Sequence, residues 1–138
     1  VNDQPVDLLH QAAAKLREYA GMLELGDVHG PWVVHTGPTG YPQSVCNVGA
    51  PALICNTFTS PKAVPAEANW IALMHPGLAG PLADWLEHAA TAHDATVQAA
   101  ADNWRGSDDT EARDRWIDRQ TDRHALAVAR TILGKETT

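Results

Sequence analysis

Apolar residues near the start of the chain recur at steps of three and four: Val6, Leu9, Ala13, Leu16, Ala20 and Leu23. Lys15, Arg17, Glu18 and Glu24 fall mostly elsewhere on the helical wheel. That period predicts an amphipathic helix over about residues 5 to 24. Pro5 is tolerated in its first turn, where the missing N–H has no intrahelical partner, and Gly26 ends the pattern.

From Asp27 to Lys62 the pattern changes to short β-favouring runs divided by Gly and Pro: "PWVVHTG", "QSVCNVG" and "ALICNTFTS". Three antiparallel strands are expected there. Taking "GAPA" as the turn sets Val48 opposite Leu53 and Cys46 opposite Cys55. Proline at the third turn position is awkward for a tight type I turn, which leaves a longer loop as the alternative.

After "SPKAVP" the helical period returns in "AEANWIALM", breaks at "HPGLAGP", and resumes from Leu82 through Leu86, Ala89, His93, Val97 and Ala100 to Trp104. Pro76 and Gly77 predict a bend or a helix boundary. A final helix is expected after "GSDD", where Asp108 and Glu111 have the spacing of a capping box, and it should run to Leu133 with Gly134 as its stop. Asp109 with Arg113 and Glu111 with Arg115 place acid before base at helical spacing. The first half of this helix is charged on almost every face, with Trp116 and Ile117 as apolar anchors, whereas the second half carries Leu126, Val128, Ala129, Ile132 and Leu133. The second half should be held more firmly.

The expected fold is therefore α+β: an N-terminal helix, a three-stranded antiparallel sheet within 27–62, and two to three C-terminal helices within 65–134. A chain of 138 residues, 44% hydrophobic and 20% charged, suits a single domain over 1–138. No run approaches the roughly 18 apolar residues of a membrane span, and "VNDQPVDLLHQ" lacks the basic and then apolar layout of a secretion signal. A cytoplasmic location without membrane contact is the expectation.

Charge narrows the partners. The formal net charge is −7, and Lys62 is the sole Lys or Arg between Arg17 and Arg105. A phosphate backbone would find little counter-charge along that stretch. The remaining bases alternate with acids in "WRGSDDTEARDRWIDRQTDR", which makes a mixed surface instead of a basic stripe. Nucleic-acid binding is not expected.

Candidate chemistry is sparse. The two cysteines, Cys46 and Cys55, have neither redox nor zinc spacing and read as core or half-buried strand thiols. Of the seven histidines, His88 and His93 are the closest pair on one helix, yet five positions apart they point about 140° from each other. Asp84 and His88 would give two ligands and still need a third. His93 lies on the apolar stripe and reads as a hydrogen-bonded core or interface residue. No serine sits in a nucleophile elbow, and "HTGPTG" lacks the Lys–Ser/Thr of a phosphate loop. Neither a catalytic set nor a cofactor is indicated, and a non-enzymatic role is the expectation.

Five tryptophans are the unusual feature. Trp70 sits among core-type residues and is expected to be interior. Trp85, one position off the Leu82 and Leu86 stripe, and Trp116, within a charged stretch, are the candidates for partner contact, with packing at the edge of the core as the alternative.

The order "AAAKLREYA", "HGPWVV", "AEANWIALMHPGLAGPLADWLEHAA" and "HALAVARTILG" resembles small hypothetical proteins of actinobacterial phages and prophages, and more distantly the Ead-like early-region proteins of lambdoid phages. The likeness covers about residues 12 to 134, with His29 before Gly30 and His75 before Pro76 as departures. It implies a phage accessory protein acting through an unidentified protein partner. The excess of apolar helical surface adds an expectation of self-association. The competing reading is a small-molecule or nucleotide-binding domain whose pocket is lined by His29, His35, Thr36 and Tyr41 near the Gly/Pro-rich loops.

Overall fold

A computed structural model of the protein describes residues 4–25, 30–35, 43–48, 53–57 and 66–135. In chain order these form α1 (Pro5–Leu25), β1 (Trp32–His35), β2 (Gln43–Asn47), β3 (Leu53–Thr57), α2 (Ala66–Leu73), a 3-10 turn (Pro76–Leu78), α3 (Ala79–Asn103), α4 (Thr110–Gln120) and α5 (Arg123–Leu133). The α+β class expected from the sequence holds. Among the described residues four α-helices, not two to three, follow the sheet. The chain divides into two compact units, a helical one of Val1–Leu16 with Leu82–Thr138 and a sheet-containing one of Arg17–Pro81.

The helical unit is built on small and branched apolar side chains. Leu9, Ala12 and Ala13 of α1, Ala83, Leu86, Ala89 and Ala90 of α3, and Ala125, Leu126 and Ala129 of α5 form one buried cluster. Val6, Leu16, Trp85, Val128, Ile132 and Leu133 pack partly against it. Leu9 and Leu86 are among its largest fully buried side chains, and the surrounding alanines leave room for them to interlock. Lys15 donates from Nζ to the carbonyl of Ile132 at 2.8 Å. That ammonium satisfies an orphan carbonyl in the last turn of α5 and sits favourably at the negative end of its dipole.

The expected single C-terminal helix is two. At Thr121 the backbone becomes extended, with ψ 130°, and Asp122 caps a new helix by accepting at Oδ1 from the amides of His124 and Ala125 at 2.9 and 3.0 Å. A half-buried hydrogen bond accompanies the break: His93 of α3, 9% exposed, faces Thr121 with Nδ1 3.1 Å from Oγ1. The hydroxyl of Thr121 donates to Ile117 O at 2.9 Å. With that proton spent, Nδ1–H of His93 is the donor to Thr121. The reading of His93 as a hydrogen-bonded core residue thus holds.

α4 buries no residue, whereas α5 buries Ala125, Leu126 and Ala129, which is the contrast in anchoring expected between the two halves. The cap of α4 is Asp109, not Asp108: its side chain accepts from Ala112 N at 2.9 Å. Asp109 is therefore engaged and does not pair with Arg113. Arg113 turns to Asp114 at 3.0 Å, while Arg115 and Glu111 form the expected pair. These pairs are at least 40% exposed and contribute little stability.

In the sheet unit the strands pair antiparallel in the order β1-β2-β3. Trp32 faces Asn47 and Val34 faces Val45, while Val33 faces Cys46 and His35 faces Ser44. Directly opposed residues share a face of the pleat. Val45 and Asn47 are buried, and Val33 and His35 are exposed, so the first set lies on the inner face. The sequence-based pairing of β2 with β3 needs correction by one position at Val45 and by two at Cys46. Val45 is opposite Cys55 and Cys46 opposite Leu53, with a bulge between Val45 and Cys46. A bulge adds a residue to one strand and is set by local turn geometry that hydropathy does not encode. Cys46 is a half-buried free thiol, in keeping with the strand reading; the side chain of Cys55 lies outside the described residues.

Candidate interaction surface

Helix α2 packs against all three strands. Ala68 is fully buried, and Ile71, Ala72 and His75, three, four and seven positions on, are half-buried. This row is the face turned inward. On the other side Trp70, Leu73 and Met74 have the spacing of one helical face and are 64%, 60% and 47% exposed. The outward face of a packed helix is ordinarily polar. Here one side meets the sheet and the other meets solvent.

The expectation that Trp70 is interior is thereby overturned. Eight residues of α2 present only one side to a small sheet, and Trp70, Leu73 and Met74 have little cover among the described residues. Trp85 packs partly on the helical core. Trp116 is half-buried and lies against Trp104, with ring centroids 5.8 Å apart at 45°. That tilted arrangement suits the quadrupoles of two aromatic rings. Trp116 thus anchors α4 to the end of α3.

A polar clamp fixes the segment that follows α2. Gly30 N donates to Asn47 Oδ1 at 2.9 Å, and Asn47 Nδ2 donates to Val48 O at 3.2 Å. His75 caps the 3-10 turn by accepting at Nδ1 from Gly77 N at 3.1 Å. A Cβ on Gly30 would come within 3.1 Å of His75 Nδ1, and one on Gly77 within 2.6 Å of its Cε1. The imidazole is therefore wedged between two glycines, and Gly30 at φ 96° also occupies backbone space that side chains disfavour. The clamp joins β1, β2 and the 3-10 turn through residues distant in sequence. The resemblance noted His75 as a departure, and nothing local revealed what it touches.

Of the proposed pocket residues, His35 is exposed on the outer face of β1. His29, Thr36 and Tyr41 lie outside the described residues. Among the described residues no group of three His, Cys, Asp or Glu is placed to hold a metal ion, and no helix is long and apolar enough to cross a membrane. His88 is exposed on α3 and His93 is engaged by Thr121. Set against protein-family models, curated proteins and solved structures, the chain has no match.

Proposed function

We propose that this chain is a non-enzymatic accessory protein of phage or prophage type that acts by binding another protein through the outer face of α2. The observation that carries the reading is the solvent-facing row of Trp70, Leu73 and Met74 on a helix whose opposite side is already packed. Large aromatic and thioether side chains are favoured anchors of protein interfaces, where a rigid ring enters a partner's pocket. The phage character rests on the motif resemblance. Relative to the sequence-based expectation, the contact surface moves from Trp85 and Trp116, which are engaged in packing, to α2.

The partner's matching surface is apolar protein. Trp70→Asp should abolish capture of a stoichiometric partner by the purified protein while leaving its melting temperature unchanged. Capture unaffected by that substitution would remove the reading. Light scattering of the same two proteins tells whether the partner is a second copy: a Trp70-dependent rise above 14.8 kDa would identify self-association.

A further inference from the structure

The helical unit carries a groove of about 300 Å³ lined by Pro5, Asp118, Thr121, Arg123, Leu126 and Arg130. Its charges are unusual for this chain, which has 17 acids and 10 Lys or Arg. Among the described cations, Lys15, Arg17, Arg105, Arg113, Arg115 and Lys135 all have partners. Arg119, Arg123 and Arg130 have none, and two of these three line the groove. Their helix explains why: "RHALAVARTIL" contains no acid, so neither arginine has a carboxylate at helical spacing within α5. Asp118 borders the same groove without an ion pair to either one.

Seven residues apart, Arg123 and Arg130 stand about two turns and ~10 Å from each other along the helix, with Leu126 between them on the same side. Both arginines line the groove together with the apolar side chains of Leu126 and Pro5. The other polar groups nearby are already committed: the hydroxyl of Thr121 to Ile117 and His93, and the first amides of α5 to Asp122. The Asp118 carboxylate and the two guanidinium forks are what remains, and the planar donors of the forks match the oxygens of phosphate or carboxylate.

We propose that this groove binds a small oxyanion, a phosphate or a carboxylate, held by Arg123 and Arg130. The site is independent of the α2 surface. It is tested by titrating the full chain with inorganic phosphate and, separately, with succinate at constant ionic strength, following the arginine Nε–H signals by NMR. Saturable shifts at two arginines are expected, and the better of the two probes identifies the group. Arg123→Gln with Arg130→Gln should weaken binding by about tenfold or more, while Arg119→Gln, the unpaired arginine outside the groove, should leave it unchanged. The exposed Arg123→Gln alone provides a variant with little risk to folding and should show a partial loss. Shifts that never saturate, that survive the double substitution, or that fall equally with Arg119→Gln would overturn the assignment.

Discussion

In the helical unit, leucines and alanines from α1, α3 and α5 bury one another in a continuous cluster. In the sheet unit the buried apolar side chains among the described residues are Val45, Ala68 and Ala79, and the joining segments are fixed by the hydrogen bonds and close contacts of Gly30, Asn47, His75 and Gly77. The first arrangement draws its stability from apolar area removed from water, at roughly 25 cal/mol per Å². Among the described residues of the second, a few geometric pins stand beside a small buried set, and a tryptophan, a leucine and a methionine lie outside. Stability and surface availability are thus divided between the units, which is why the contact surface is sought on α2 and not on the helices that form the larger core.

The hardest test of that division is Leu86→Ala. Leu86 is 0% exposed, so truncation should cost about 2–5 kcal/mol through lost transfer energy and the cavity left behind. A urea melt reads it directly. A loss no greater than that of Leu73→Ala on the exposed face would dissolve the contrast between the units.

Gly30→Ala probes the pins instead of the core. A left-handed backbone costs a residue with a Cβ about 1–2 kcal/mol, and here the new methyl also meets His75 at 3.1 Å. The same melt should show a loss in that range, accompanied by changed chemical shifts at His75. An unaltered melt would mean that the clamp has slack and does not fix the sheet unit.

How far the sequence carried these conclusions depends on the range of the forces involved. α1 was legible almost to the residue, Pro5–Leu25 against about 5 to 24, because its period and its proline are local signals. His93 was legible as well, being a polar residue on an apolar stripe. The division of the C-terminal helix was missed, although Asp122 ahead of an amphipathic run is a cap signal, since the helical period continues across it. The strand pairing slipped because Val45 and Cys46 are both apolar and either can face inward. Trp85 was left open between partner contact and packing at the edge of the core, since one stripe of α3 does not show how broad an arc meets α1 and α5; its ring packs partly on the cluster. Trp70 was set inside because its neighbours are apolar; only the tertiary structure shows that the sheet covers one side of α2.

Within the helical unit the comparison sharpens at α4, which is held by its cap and by the Trp104–Trp116 contact, with no buried residue of its own. Asp109→Ala should cost about 1 kcal/mol, and hydrogen exchange should accelerate in α4 while α5 stays protected. Asp108→Ala, one position earlier and outside the cap, should change neither. Equal effects of the two substitutions would show that general charge, not the bond to Ala112 N, supports the helix start.

The smallest expected effect is also the most informative. Trp70→Ala removes the largest side chain type in the protein, and in a core that would cost about 3–5 kcal/mol. At 64% exposure its ring leaves much of its area in water, so the change should stay within about 0.5 kcal/mol in the same urea melt. Trp85→Ala is the matched control, since that ring packs on the helical cluster and its loss should be clearly greater. If the order were reversed, the outer face of α2 would be supporting the fold, and a row of side chains held there by stability alone would no longer call for a partner.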